Sequence, residues 1–491
     1  MKKTLPTNKL NLALLGLAAL PVAAQSKPNV VFIMTDQQEY QMLSCMGNKW
    51  LSTPNIDRIA SMGYRFENNY CANPVSMPSR FSLLTGHYAS EVGVKENTTA
   101  FDKEKVLRIT STDALGNLFL KAGYQTLYSG KTHLYGTKDL KEYGFTLTDS
   151  DPYDGPAIYA EKMLADYGKV KQEKPFFLFL SFLNPHDICY KAGMDKRFPD
   201  NLPEANAHET ARLIALQKTL SPEEYKKQIP PAPTNLAPIN GELPDMVSMA
   251  AQGRQWTDEQ WDFYRWIYYR LTESVDRQIG RVLAALEKSG QLDNTIIVFT
   301  SDHGEMNESH KLITKNVMFE ESQRVPLIFA GKGIKPNFAD KKTLTCNGLD
   351  FLPTICDLVG IQSPKGLHGV SLKPYLTGKG KTPDRKFIIT EDYNSVQIHD
   401  GRYKLTIYEL PGNPEMLVDL VANPSETINY ANTPSYNDIK AKLKRLLMED
   451  LKSRDLLPLK TDRTIQNLRQ IEKEKGTRKG ERSKLKEDFV D

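Results

Sequence analysis

Four apolar runs, rich in β-branched and aromatic residues, constrain this chain most: residues 29–34, 124–129, 175–182 and 295–300. Runs that stay apolar without alternating suit strands covered on both faces, the condition of a parallel sheet packed between helices. Each run ends in polar residues: Asp36-Gln37, Gly130-Lys131-Thr132-His133, Asn184-Pro185-His186-Asp187 and Ser301-Asp302-His303-Gly304. Ligands of open α/β sheets bind beyond the carboxyl ends of the strands, so four such endings predict one shared pocket. Ahead of the last run, Ile267, Leu271, Val275, Ile279, Val282 and Leu286 recur at helical spacing and Gly290 stands where a helix would stop. That pattern predicts a crossover helix whose stripe is core packing.

The texture changes after about residue 382, where residues 386–390, 396–399 and 403–408 read as short strands and 439–448 as a helix. The fold class expected is α/β: a large, mostly parallel central sheet flanked by helices, with a smaller C-terminal α+β subdomain. The organisation expected is an export signal over 1–24, an α/β domain over 25–381, the subdomain over 382–462 and a charged tail over 463–491. Lys2, Lys3 and Lys9 precede an apolar run too short to span a bilayer, and Val22-Ala23-Ala24 offers small residues before a cut. The mature protein is therefore expected to be exported, periplasmic or secreted, with no stable membrane association. The tail carries nine Lys/Arg against six Asp/Glu and reads as solvated. Residues 190–256 are Pro-rich and weakly periodic, which predicts a lid or binding loop.

Removing the three lysines of the leader lowers the formal charge from +4 to +1. No global field then draws the protein to nucleic acid. Five cysteines, Cys45, Cys71, Cys189, Cys346 and Cys356, lack metal-type spacing and form no disulfide scaffold. Cys346 and Cys356 are left either as a pair or as separate buried thiols.

Two aspartates at strand ends, Asp36 and Asp302, joined by the carbonyl of Gln37 and the imidazole of His303, make an oxygen-rich donor set for one hard divalent cation. The oxygen donors make Ca²⁺ the first expectation; an imidazole donor suits softer metals than calcium, which leaves Mg²⁺ or Mn²⁺ as alternatives.

The sharpest motif is Ser76-Met77-Pro78-Ser79-Arg80, followed by Leu83-Leu84-Thr85-Gly86. It resembles the signature of the type I sulfatases, in its serine form. Asn29-Val30-Val31-Phe32-Ile33-Met34-Thr35-Asp36 is similar to that family's opening strand and metal turn, and Thr53-Pro54-Asn55-Ile56-Asp57 to the segment after it. Gly130-Lys131-Thr132-His133 and Pro185-His186 match its Gly-Lys-x-His and Pro-His elements, and the residues from Val298 to Glu305 its second metal turn. Lys315, the stretch from Phe319 to Ile328, Asp350 to Thr354, Gly369 to Leu372, Asp419-Leu420 and Asn423 to Thr427 follow in the family's order. The resemblance covers nearly all of the chain between leader and tail. Asp36-Gln37 and Asp302-His303 stand where the family often has Asp-Asp and Asp-Asn.

The resemblance implies an alkaline-phosphatase-like fold and a sulfuric ester hydrolase whose residue 76 is oxidised to formylglycine (3-oxoalanine). It implies a cation held by Asp36, Gln37, residue 76, Asp302 and His303. Arg80 and Lys131 are to hold the hydrated aldehyde, Lys131, His133 and Lys315 to surround the sulfate, and His186 to protonate the leaving oxygen. It also implies a radical anaerobic sulfatase-maturating enzyme as a partner before export. The substrate expected is a sulfated carbohydrate, derived from glycosaminoglycans, which Arg254, Lys191 and Lys196 would meet at a uronate. Alternatives are an aryl or alkyl sulfatase, a phosphate or phosphonate ester hydrolase of the same superfamily, and an unmodified sulfoglycan-binding protein.

Overall fold

The structure, a computed structural model, describes residues 27–98, 101–136, 140–167, 169, 174–189, 208–248 and 250–459. The leader, the tail, Lys191 and Lys196 lie outside the described residues.

Eight strands form the large sheet: β1 (Asn29–Asp36), β2 (Gly63–Tyr70), β3 (Gln125–Gly130), β4 (Thr146–Asp149), β5 (Phe176–Pro185), β6 (Thr295–Ser301), β7 (Leu327–Gly331) and β8 (Phe338–Cys346). Their order is β4-β3-β5-β1-β6-β7-β2-β8, and β7 alone among them runs antiparallel to its neighbours. The four strands read from the apolar runs are thus adjacent, β3-β5-β1-β6, and parallel. Alternate residues feed two cores. Val30, Phe32 and Met34 of β1 join Phe177, Phe179, Ile296 and Val298 on one face. Val31 and Ile33 join Leu178, Leu180, Ile297 and Phe299 on the other. Residue alternation across a strand explains why a run without polar interruption is needed.

The helices Ser76–Thr85 and Asn347–Val359 pack against each other over the first face. Pro54–Ser61, Gly155–Tyr167 and Asp258–Lys288 cover the second. The crossover helix therefore begins well upstream of Ile267, started by Thr257, whose hydroxyl accepts from the Gln260 N–H. Residues 190–256, expected as a loop, carry the helices His208–Thr219, Pro222–Gln228 and Pro244–Val247. The second of these has Pro at its first position and a Ser221–Glu224 capping box, a start marker that the proline-rich texture hid.

A second sheet, antiparallel in the order β12-β11-β10-β9, consists of β9 (Ile388–Asp392), β10 (Ser395–His399), β11 (Tyr403–Tyr408) and β12 (Glu415–Asp419). Leu443, Leu447 and Leu451 of the helix Asn437–Ser453 close its core. This smaller unit is tied to the chain just ahead of Ser76: Glu391 N–H donates to Ala72 O at 2.9 Å and Thr390 Oγ1 to Cys71 O at 3.1 Å. All five cysteines are free; Cys346 and Cys356 belong to different cores. Among the described residues, no helix is long and apolar enough to cross a membrane.

Candidate active site

Ser76 is the first residue of a fully buried helix. Ser76 and Arg80, four apart, share one helix face, and that face looks onto the ends of β1, β3, β5 and β6. Val75, at the N-cap, supplies no side-chain cap. Instead Asn97, from a distant loop, accepts the Met77 N–H at 2.9 Å.

Arg80 is the electrostatic hub. Its Nη2 donates to Asp36 Oδ2 at 2.7 Å and its Nε to Asp302 Oδ2 at 2.9 Å. Its Nη1 donates to Lys131 O at 3.0 Å and Ser181 Oγ at 2.8 Å. Lys131 Nζ adds a second cation 3.3 Å from Asp36 Oδ2. Burial works to raise the Asp36 pKa, but Lys131, His186 and Arg80 outweigh it and hold that carboxyl well below the usual range. Asp302, buried beside the charge of Asp36, is pushed up to about 7. The pair holds one negative charge firmly and the second weakly.

His303 Nδ1 donates to Gly304 O at 3.0 Å, which turns the Nε2 lone pair toward Ser76 Oγ, 2.9 Å away. Burial, then Lys315, lowers its pKa to about 3, so the ring is neutral and able to ligate. Asp36, Asp302 and His303 each present a ligand atom within 4.8 Å of the others. Asp36 Oδ1 is buried with no hydrogen-bond partner, an arrangement that costs free energy and that a cation would relieve.

Gln37, expected as a cation ligand, uses its side chain otherwise. Its Oε1 accepts from Lys315 Nζ and from Cys189 Sγ, while Nε2 donates to Glu305 Oε2. Its main-chain N–H reaches Asp302 Oδ1 at 3.1 Å. To ligate through its carbonyl, Gln37 would have to exchange the Lys315 ammonium for the cation.

Lys315 lies 3.4 Å from Cys189 Sγ, just beyond β5. His186, at the end of β5, is held well below the usual imidazole range by burial and then by Lys131 and Lys315. His133 follows β3 half-buried, with a left-handed φ of 39°. The structure thus gathers Asp36, Gln37, Ser76, Arg80, Lys131, His186, Asp302, His303 and Lys315.

Asn97, Ser181, Cys189 and Tyr264 were given no role by the sequence, because each reaches the site through contacts far apart in the chain. Only the spacing of Trp261, Tyr264 and Tyr268, which continues the helical stripe upstream, gave any sign of them. Arg254, expected at a uronate, pairs with Glu242 at 2.7 Å instead. His310 is stacked on Phe319 and bonded to Ala237 O, and His87 and His368 meet at Glu91. His399 is buried edge-on to Tyr70, as a packed ring should be.

Comparison with known proteins agrees with this layout. The sulfatase family profile matches residues 28–361, and one for the C-terminal part of N-sulphoglucosamine sulphohydrolase matches 308–453. A Delta 4,5-hexuronate-2-O-sulfatase of Bacteroides thetaiotaomicron is 31% identical, with 92% of this chain and 94% of the relative covered. An N-acetylglucosamine-6-O-sulfatase of the same organism is 30% identical, with 92% of each covered. A solved structure in complex with its substrate D-glucosamine-2-N,6-O-disulfate superposes with a TM-score of 0.70 at 25% identity, covering 88% of this chain and 99% of that one. Fold and site define a sulfuric ester hydrolase of the alkaline phosphatase superfamily. The chain belongs to the sulfatase family.

Proposed function

We propose that this sulfatase removes sulfate from a saccharide derived from glycosaminoglycans, with residue 76 present as formylglycine and one divalent cation, calcium first, beside it. The observation that carries the reading is Ser76 at a helix start, 2.9 Å from the ligating nitrogen of His303 and facing the Asp36–Asp302 pair. The carbohydrate class is supported by the relatives of 30 and 31% identity, named for a glucosamine and a hexuronate sulfate.

Asp36, Asp302 and His303 would hold the cation together with residue 76; their neutral imidazole, ionised carboxylate and orphaned Oδ1 fit it. Bound together, the two groups supply a hydrated-aldehyde oxygen as nucleophile and Lewis-acid charge against the ester. The protein's own residues do the rest. Arg80 helps to keep Asp36 ionised and, by reaching both carboxylates, holds them in register. Lys131 and Lys315 offer ammonium donors to the sulfate oxygens, with His133, which follows β3, as a further donor, and so balance charge in the transition state. His186 is neutral beside two lysines; the negative charge of a bound ester offsets them and lets the ring take up the proton that it gives to the leaving oxygen.

Formation of the aldehyde is a two-electron oxidation of Ser76, assigned here to a radical maturase acting before export, with the leader over 1–24 carrying the matured protein out of the cytoplasm. The test is mass spectrometry of the Ser76 peptide from co-expression with such a maturase. The expected peptide is two hydrogens lighter and is trapped by a hydrazide. The same preparation should release sulfate from defined sulfated disaccharides and not phosphate from matched esters. An unmodified peptide in a fully active enzyme would overturn the reading.

A further inference from the structure

Away from the catalytic pocket, four side chains with metal-binding chemistry meet where helices end. His87 directly follows Gly86, the left-handed cap (φ 73°) of the Ser76–Thr85 helix, and Glu91 lies in the short 3₁₀ helix Ala89–Val92. Asp113 is the last residue of the Lys103–Asp113 helix, and His368 stands between the helices Asn347–Val359 and Lys373–Thr377. His87 Nδ1 lies 2.9 Å from Glu91 Oε2, and His368 Nε2 lies 2.9 Å from Glu91 Oε1. On its other side His87 Nε2 donates to Asp113 Oδ2 at 2.8 Å. The Tyr88 N–H, donating to Glu91 Oε1 at 2.9 Å, fixes the carboxylate between the two rings. One ligand atom from each of His87, Glu91 and His368 lies within 4.8 Å of the others.

A carboxylate on one ring nitrogen decides what the other can do. Asp113 only accepts, so His87 Nε2 carries a hydrogen, and a neutral ring then turns its Nδ1 lone pair on Glu91 Oε2. Two acceptors at that distance repel unless something positive stands between them. In zinc-free protein this is a second proton on His87. A divalent cation fills the same place with twice the charge and gains His368 Nε2 as a further donor. An outer carboxylate behind a ligating imidazole is also how proteins orient a metal-binding histidine and raise its basicity.

We propose that His87 Nδ1, Glu91 and His368 Nε2 form a second metal site, for one zinc ion, with Asp113 as the outer partner of His87. Two imidazole nitrogens and one carboxylate suit borderline-soft Zn²⁺, whereas Ca²⁺ takes a larger set of oxygens. Three protein ligands leave a fourth position for water. The side chains of His87, Glu91 and His368 are 13, 22 and 25% exposed, so an ion reaches them from solvent. His368 also lines a cavity of about 360 Å³ with Tyr88 and Arg385. The ion would brace the helix that carries Ser76: its far end, at Gly86 and His87, becomes tied to the segment that follows the helix packed against it.

The test starts from the full chain stripped with a chelator and reloaded with calcium alone, so that the Asp36–Asp302 centre is filled. Titration calorimetry with zinc chloride should show one equivalent bound, with a Kd of about 10 µM or tighter. At a hundredfold excess over Kd the melting temperature should rise by about 2–3 °C. H368A removes a ligand and should lose this uptake. D113A leaves all three ligands in place and should weaken it by about tenfold or more. D302N, altered only at the other centre, should take up zinc as the wild type does. Anomalous scattering at the zinc edge from wild-type crystals reads the site without any variant, and should place the ion about 2.0–2.1 Å from His87 Nδ1 and His368 Nε2. No uptake by the wild type, equal uptake by wild type and H368A, native affinity in D113A, loss of uptake in D302N, or anomalous signal at His303 alone would each overturn the assignment.

Discussion

Arg80 Nη2 lies 2.7 Å from Asp36 Oδ2 at the floor of the site, and neither side chain is reached by solvent beyond 1%. The same planar group reaches Asp302 through Nε, so one guanidinium spans both carboxylates. A lysine keeps the charge but not the fork. R80K is expected to fold and to lose activity by about two orders of magnitude or more, because the two carboxylates lose their common partner. R80A leaves buried charge uncompensated and should lower the unfolding free energy by about 3–5 kcal/mol. Urea denaturation and kcat/KM measured on both variants check this; an R80K enzyme with native kinetics would remove Arg80 from the role given to it.

Much of this arrangement was legible in the sequence for a physical reason. Strands covered on both faces leave few polar positions, so β1, β5 and β6 stood out as nearly continuous apolar runs and β3 as a shorter run with Gln125 and Thr126 at its start, and the polar residues that end each of them pointed to the pocket. Strand β2 was hidden: Asn68 and Asn69 interrupt its apolar pattern, yet Asn69 is buried and bonds Val325 O and Thr345 Oγ1. The Ser76–Arg80 spacing already placed both side chains on one helical face. The direction of the Gln37 amide was not legible, because it depends on a carboxylate held by a tyrosine from the crossover helix. Likewise, Cys189 reads as a lone thiol until folding brings Lys315 and Gln37 to it.

Removing the cation should cost stability as well as activity. Asp36 and Asp302 are two buried carboxylates with an orphaned oxygen between them, and a ligand bound only by the native state stabilises it by about 2.7 kcal/mol at a hundred times its Kd. Dialysis against a chelator should lower the melting temperature and abolish sulfate release, and calcium should restore both. D302N should show the lower melting temperature without a response to chelator. A chelated enzyme that melts and turns over like the untreated one would exclude a cation at this site.

Gly304 follows His303, and a Cβ built on it would stand 1.9 Å from Glu321 O. A main-chain oxygen cannot swing away as a side-chain tip can, so G304A must shift either the turn after β6 or the Glu320–Gln323 helix. Overpacking of this kind costs about 1–3 kcal/mol. The larger effect should be on kcat, since the displaced residue is the neighbour that orients the His303 ring. Kinetics and a denaturation midpoint measured together would show kcat falling by more than the stability loss explains; a G304A enzyme with native kcat would mean that the turn has slack.

Away from the site, His87 is held between two carboxylates, Nδ1 to Glu91 Oε2 at 2.9 Å and Nε2 to Asp113 Oδ2 at 2.8 Å, while His368 Nε2 reaches Glu91 Oε1 at 2.9 Å. Burial works to lower the His87 pKa, but the bonds to Glu91 and Asp113 outweigh it and the net shift is upward from 6.5. Burial works to raise Glu91, but His368 and His87 outweigh it and bring that carboxyl well below 4.5. A histidine raised by folding contributes stability fully below its unfolded pKa and loses it as pH rises through the folded value. A carboxylate lowered by folding contributes above its unfolded pKa and loses it as pH falls. The two contributions overlap between 4.5 and 6.5. H87Q should therefore melt furthest below the wild type near the middle of that window, and the gap should narrow steadily above neutrality. Melting curves of both proteins across the pH range test this, and a gap that stays constant from acid to alkaline pH would show that His87 acts only through packing.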